Sequence, residues 1–254
     1  MKNSTRRQPP GIRKSRRLGQ HFLSSPQILE FEAEAAGVEG KTVVEIGGGD
    51  GRLTEKLLAK SPKKLTVVEK DSRWADFLGH KFGDRIEVLQ KDFLDTELDA
   101  EIFVGNIPYY ISSPIIFHIA KRDFLRALLM VQEEFAERMA AKPHTKEYGR
   151  LSVTSQLLFR IKLLKKVKRG AFSPPPEVDS AIILLEKRTS SLDPWTEKII
   201  LALFQHKNQM VSNALRHAGI APKAWLPKKR PREMGPEEIV KLAESIRPSG
   251  AARA

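Results

Sequence analysis

The chain has 254 residues, 41% of them hydrophobic, no cysteine, and a formal net charge of +13. That apolar content suits one large domain, or a medium domain with a small appendage, and excludes general disorder; the lack of cysteine excludes disulfides and thiolate metal sites, and no metal site is expected. No apolar run approaches the roughly 18 residues that cross a bilayer, and no signal-like run follows the basic N-terminus, so the expectation is a soluble cytoplasmic protein whose positive charge favours nucleic acid over an anionic membrane.

Residues 1–17 carry Lys2, Arg6, Arg7, Arg13, Lys14, Arg16 and Arg17 and no acid, broken by Pro9, Pro10 and Gly11. This reads as a flexible basic arm able to track a phosphate backbone. Ser25 and Pro26 open a helix with a stripe of Ile28, Leu29, Ala33 and Ala36, which Gly37 stops. Strands and helices then alternate. Strands are predicted over Thr42–Ile46, Leu65–Glu69, Arg85–Leu89, Ile102–Gly105 and Ala127–Val131. Helices are predicted over Arg52–Lys60, Trp74–His80 and Pro114–Ala120, with a further one ending at Arg138. The alternation predicts an α/β, Rossmann-like fold with a mostly parallel sheet of seven strands. A helix over Leu151–Phe159 and two last strands, Ile161–Val167 and Ala181–Leu185, complete a domain over 18–190. From Asp193-Pro194 a small helical domain over 191–254 is expected, with apolar faces at Ile199, Ile200, Leu203, Phe204, Val211 and Leu215.

Glu45-Ile46-Gly47-Gly48-Gly49-Asp50-Gly51 lies between the first of these strands and its helix. Its glycines permit a tight turn and close backbone approach to a ligand. A dinucleotide fingerprint requires a small residue where this chain has Arg52, and Glu45 opposes a phosphate. A cationic ligand such as S-adenosylmethionine (SAM) suits Glu45, whose alternative role is to orient the loop. Glu69, at the end of the second strand, is placed to accept from ribose hydroxyls. Asp92, after the third, is placed to accept from an adenine amino group. Each acid alone reads as a solvated loop carboxylate; three at the carboxyl edge of one sheet read as a SAM crevice with Gly47 and Gly49 at its floor.

The fourth strand ends in Asn106-Ile107-Pro108-Tyr109. An exocyclic base amine is a poor nucleophile, because its lone pair is delocalised. The Asn106 side-chain oxygen and the Ile107 carbonyl can each accept one amino N–H, Pro108 stiffens the turn, and Tyr109 offers a stacking face worth about 1–3 kcal/mol. No strong base is needed, since the amine becomes acidic after methylation; catalysis is positioning. Alone, the motif also fits a strand-ending turn with an Asn cap. Phe172, on the loop carrying Pro174, Pro175 and Pro176, either covers a flipped base opposite Tyr109 or anchors that loop in the core.

These residues resemble the KsgA-type family of small-subunit ribosomal RNA adenine dimethyltransferases. The resemblance rests on Leu18-Gly19-Gln20-His21-Phe22-Leu23, the Glu45–Gly51 loop, Glu69-Lys70-Asp71, Asp92-Phe93, Asn106–Tyr109, Val131-Gln132 with Glu134 and Arg138, and the Phe172–Ser180 segment. It implies SAM contacts from His21, Leu23, Gly47, Glu69, Asp92 and Asn106. It also implies N6,N6-dimethylation of two adjacent adenosines in a hairpin loop near the 3′ end of small-subunit rRNA, by a monomer acting on an immature small ribosomal subunit. Gly-Gly-Gly-Asp-Gly stands where the family often has Gly-Pro-Gly, and His21 where many bacterial members have Asn; the short tail and basic arm look archaeal. The competing readings are a large-subunit rRNA adenine N6-methyltransferase and a non-catalytic RNA-binding assembly or transcription factor on the same fold. The Phe172–Ser180 segment and the tail weigh against the first, and intact Glu69, Asp92, Asn106 and Tyr109 against the second.

Overall fold

A computed structural model describes residues 21–248 apart from 190, 222 and 224. The basic arm over 1–17 and the Leu18-Gly19-Gln20 part of the first motif lie outside the described residues. The elements in chain order are β1 (Phe22–Leu23), α1 (Pro26–Ala36), β2 (Thr42–Ile46), α2 (Arg52–Leu58), β3 (Lys64–Val68), α3 (Ser72–Phe82), β4 (Glu87–Leu89), β5 (Ile102–Asn106), α4 (Ser112–Ala120), β6 (Arg126–Gln132), α5 (Glu133–Ala140), α6 (Arg150–Leu158), β7 (Phe159–Val167), β8 (Phe172–Ser173), β9 (Ser180–Lys187), α7 (Pro194–Gln205), α8 (Val211–His217) and α9 (Pro236–Ser245).

Seven strands form one sheet in the order β4-β3-β2-β5-β6-β9-β7. The pairs β2/β3, β3/β4, β2/β5 and β5/β6 are parallel. Short, nearly continuous apolar runs such as Val43-Val44, Leu65–Val68 and Leu128–Val131 form these strands because parallel strands are covered on both faces. The chain passes from β2 outward through β3 to β4, then returns to β5 on the other side of β2. This reversal opens a crevice beyond the carboxyl ends of β2 and β5, where ligands of such sheets bind.

α1 begins as its sequence dictates: the Ser25 side chain accepts from the Ile28 N–H, Pro26 occupies the first turn, and Gly37 closes the helix with φ of 63°. One expectation changes ahead of it. Phe22–Leu23, for which no strand was predicted, pairs antiparallel with β8, Phe22 opposite Ser173 and Leu23 opposite Phe172. A two-residue strand has no local periodicity, and its partner lies far along the chain.

By contacts the described residues fall into two compact units, one running to Glu133 with Leu163–Leu185 added, the other formed by Glu134–Lys162 and the chain from Glu186 onward. The first unit's core joins Leu29, Ala33 and Ala36 of α1 to Val43, Val67, Leu78, Val104 and Met130. In the second, Tyr148 and Val153 pack with Ile199, Leu203, Leu215 and Ile239. The Tyr148 hydroxyl donates to the Met234 carbonyl at 2.8 Å. Asp193 caps α7 by accepting from the Trp195 and Thr196 N–H groups and pairs with Arg247 at 2.6 Å. The expected boundary near residue 190 followed a shift in composition; the contacts instead group Glu134–Lys162 with the C-terminal helices, through Tyr148 and Val153.

Candidate functional site

The loop after β2 is built on glycines at left-handed φ: 77° at Gly47, 51° at Gly49 and 74° at Gly51. The Gly47 N–H donates to the Val68 carbonyl at 2.8 Å, tying the loop to β3. Gly48 lies so close to the fold that a Cβ there would meet Val67 Cγ1 at 2.4 Å and Leu78 Cδ1 at 2.7 Å. At Gly51 a Cβ would meet Phe82 Cε2 at 2.7 Å. Gly48 and Gly51 thus supply the close helix–strand packing that a dinucleotide fingerprint assigns to its third glycine. Arg52 is used differently: it pairs with Asp50 at 3.1 Å and donates to the Leu23 carbonyl at 3.3 Å, fastening β1 over the loop.

A cavity of about 360 Å³ opens beyond the ends of β2, β3 and β5. His21, Leu23, Gly47, Gly49, Glu69, Asp92 and Asn106 all line it, as does Glu45. A smaller hollow of about 30 Å³ is lined by Ile107, Tyr109, Met130 and Phe172, and shares His21, Asn106 and Pro108 with the cavity. The residues read as cofactor contacts therefore meet in one place and those read as acceptor contacts in another. His21, Asn106 and Pro108 stand in both.

Glu69 is 8% exposed. Its Oε2 accepts from the Gly49 N–H at 3.0 Å and its Oε1 from the Asp71 N–H at 2.9 Å. Burial raises its pKa, against the lowering effect of these two amides. Each oxygen retains a lone pair for a ligand hydroxyl. Partial burial pushes the Asp92 carboxyl up, but Lys70, 2.7 Å away, and the Leu94 N–H outweigh it and hold the group below its ordinary value. The Asp92 charge is thus fixed and its two oxygens already have one donor each.

Glu45 is fully buried, and neither of its carboxylate oxygens has a hydrogen-bond partner. Burial pushes its pKa up to about 8. Only the neighbouring Thr54 hydroxyl works against that rise; a buried acid so poorly compensated is costly, and its place on the wall of the cavity fits a cationic ligand. The residues present therefore fit SAM: a glycine floor, a buried acid for its positive end, and Glu69 for its ribose.

On the acceptor side, the Asn106 Nδ2 donates to Glu32 Oε2 at 3.3 Å, while its Oδ1 is buried without a partner. Tyr109 is fixed by a 2.6 Å hydrogen bond between its hydroxyl and Ser180 Oγ, and its ring lies parallel to His21, 14° between planes and 6.5 Å between centroids. The His21 Nδ1–H donates to the Pro174 carbonyl at 3.0 Å, which sets the tautomer of the ring. Phe172, 6% exposed, belongs to the core of the first unit and also walls the small hollow. Sequence reasoning missed Glu32. It also missed Tyr110, an exposed aromatic on the wall of the larger cavity. The signal for Glu32 was its spacing, three residues after Leu29 and four before Ala36, inside the stripe that α1 buries.

Residues 11–242 match the family described as ribosomal RNA adenine dimethylase. A probable ribosomal RNA small subunit methyltransferase A of Methanopyrus kandleri is 41% identical over 93% of each chain. The protein of the same description in Pyrococcus abyssi is 36% identical, also over 93% of each. Among solved structures, a dimethyladenosine transferase from Plasmodium falciparum is 29% identical with a TM-score of 0.75, covering 87% of this chain and 96% of that one. The 23S rRNA methyltransferase ErmE is 29% identical with a TM-score of 0.68, covering 89% of this chain and 99% of that one. With the glycine floor, the buried acids and the Asn106–Tyr109 turn assembled at one sheet edge, the chain belongs to the ribosomal RNA adenine dimethylase family.

Proposed function

We propose that this protein dimethylates N6 of two adjacent adenosines in a hairpin loop near the 3′ end of small-subunit rRNA, using SAM, during assembly of the small ribosomal subunit. The observation that carries the proposal is Asn106. It lines both the cavity and the small hollow, and its side-chain oxygen is buried with no partner. An acceptor so placed is matched by an amino N–H of a base, the one polar group that this reaction must hold.

SAM supplies an electrophilic methyl group on a sulfonium sulfur. The chain's residues do the positioning. Gly47 and Gly49 give the backbone approach, Glu69 takes ribose hydroxyls, Asp92 takes the adenine amino group, and His21 and Leu23 close the wall. In the hollow, Asn106 Oδ1 and the Ile107 carbonyl each accept one N–H of the target amine. In the first transfer both N–H groups would be held, and in the second the one that remains, drawing the nitrogen toward tetrahedral geometry with its lone pair directed out of the ring plane. Pro108 holds the turn, and Tyr109, anchored on Ser180, stacks on the base with Phe172 behind it. The methylated, cationic nitrogen would lose its proton to solvent after the transfer, so the acceptor turn needs no base of its own. The net charge of +13 favours docking on rRNA. Action in the cytoplasm, as a monomer, on an immature subunit is part of the same reading; among the described residues no helix is long and apolar enough to cross a membrane.

Mass spectrometry of small-subunit rRNA after reaction of immature subunits with the protein and SAM tests this. Two neighbouring N6,N6-dimethyladenosines near the 3′ end are expected. Methylation confined to large-subunit rRNA, or binding without methyl incorporation, would overturn it.

A further inference from the structure

We infer that Glu32 is a positioning residue for methyl transfer, holding the Asn106 carboxamide so that its oxygen faces the acceptor base. The inference rests on the role of Asn106 proposed above.

Four residues of α1 are buried: Leu29, Glu32, Ala33 and Ala36. Three of them serve the core of the first unit. The fourth is a carboxylic acid, 2% exposed. Burying an acid in an apolar stripe costs stability, and a leucine would fill the same place at no such cost. Among the described residues Glu32 makes one side-chain hydrogen bond: its Oε2 accepts from Asn106 Nδ2 at 3.3 Å. No basic side chain among them is bonded to it. The charges of Glu32 and Glu45 oppose each other, which raises the Glu45 pKa further, and no hydrogen bond joins the two carboxyls. Burial drives the Glu32 pKa up to about 8, and the Asn106 amide works against that rise.

The consequence lies at the other end of the carboxamide. Asn has an oxygen that only accepts and an NH₂ that only donates. A carboxyl acceptor behind it selects the orientation with NH₂ to the rear, which leaves Oδ1, buried and unpartnered, toward the hollow. Turned over, the side chain would set its oxygen against Glu32 and present two N–H groups to an amine that also carries N–H groups. The face toward the base would then have no acceptor for the amine. Glu32 does not line the cavity or the hollow; it acts through Asn106 alone.

The test uses the full chain with SAM and immature small subunits. Glu32→Leu removes the acceptor and completes the apolar stripe. The melting temperature is expected to hold or rise, calorimetric SAM affinity to stay within about twofold, and single-turnover transfer to fall at least about tenfold with KM for the subunit unchanged, which is about 1.4 kcal/mol of lost transition-state binding. Glu32→Gln keeps an acceptor oxygen and is expected to recover transfer to within about threefold of the parent. Transfer within about twofold of the parent in E32L, or E32Q no better than E32L, would overturn the inference; should E32L fail to fold, E32M takes its place. Asn106→Ala separates the two claims. An active N106A refutes the acceptor role itself, whereas an inactive N106A beside a fully active E32L refutes only the role of Glu32.

Discussion

Removing the carboxylate of Glu69 tests the cofactor side of the site more severely than any other single change. Its two oxygens hold the Gly49 and Asp71 amides at 3.0 and 2.9 Å. One belongs to the glycine floor and the other to the N-cap of α3, whose side chain accepts from the Arg73 N–H. In Glu69→Ala both amides lose their acceptor and the ribose loses its partner. Hydrogen bonds to a charged group contribute about 1.5–3 kcal/mol each. Loss of two ribose bonds, partly offset by water entering the gap, predicts SAM binding weaker by about 3 kcal/mol, or roughly 100-fold. Glu69→Gln is the sharper variant. Both oxygens of Glu69 receive backbone N–H donors, so the amide NH₂ of a glutamine must face one of them donor to donor. It should recover little, with SAM at least about tenfold weaker than in the parent protein. Calorimetric titration with SAM and with its demethylated product at equal temperature measures both. Binding within about threefold of the parent in Glu69→Ala, or a glutamine variant that binds like the parent, would show that Glu69 does not hold the ribose.

Gly48→Ala is expected to destabilise the fold by about 1–3 kcal/mol, because its Cβ would meet Val67 and Leu78, both fully buried; thermal unfolding should show a lower melting temperature together with weaker SAM binding. Deletion of residues 1–17 removes seven cations and is expected to weaken RNA binding and to flatten its salt dependence by up to about 0.7 in log–log slope for each phosphate no longer neutralised; an unchanged slope in filter binding at several salt concentrations would make the arm a passive tail. The Glu32 and Glu45 carboxyls are pushed to about 8, from 4.5, by burial. A raised carboxyl pKa leaves the folded state holding a proton that the unfolded state has released, so stability should fall as pH rises between about 4.5 and 8 and level off beyond. Each group contributes about 1.4 kcal/mol per pH unit within that window, and Glu45→Gln, measured by denaturant unfolding in the absence of SAM, should flatten the slope by about that amount.

The parts of this molecule legible in its sequence are those encoded locally. Apolar runs ending in glycine give β2, and Ser25 with Pro26 gives the start of α1. Glu69 and Asp92 were placed by the strands that precede them. What was not legible depends on pairing across the chain. β1 exists because Phe22 and Leu23 meet Ser173 and Phe172, and neither dipeptide has a pattern of its own. The Lys70–Asp92 pair joins the ends of two neighbouring strands, and the register that brings them together is a property of the sheet. Glu32 was hidden for a different reason. A charge within a helix is ordinarily assigned to the solvent face, and only its position inside the spacing of Leu29, Ala33 and Ala36 argued otherwise.

The likeness to both a dimethyladenosine transferase and the 23S rRNA methyltransferase ErmE, at equal identity, has a physical reading. In the function proposed, holding an adenine amine against a methyl donor uses a glycine floor, a ribose acceptor and an Asn-led turn, whichever RNA carries the adenine. Those parts lie at one sheet edge, on β2, β3 and β5, and are set by the crevice that the strand order creates. Choice between the two RNAs therefore has to come from surfaces that the crevice does not include. The relatives of small-subunit description match along 93% of the chain. ErmE covers 89% of this chain, so the length of the match does not separate the two. Exchanging Glu134–Lys162 together with Glu186–Ala254, the segments that pack as one unit, for their counterparts in the large-subunit enzyme is expected to change which RNA is methylated while calorimetric SAM affinity stays within about threefold; SAM binding lost with RNA choice unchanged would refute this.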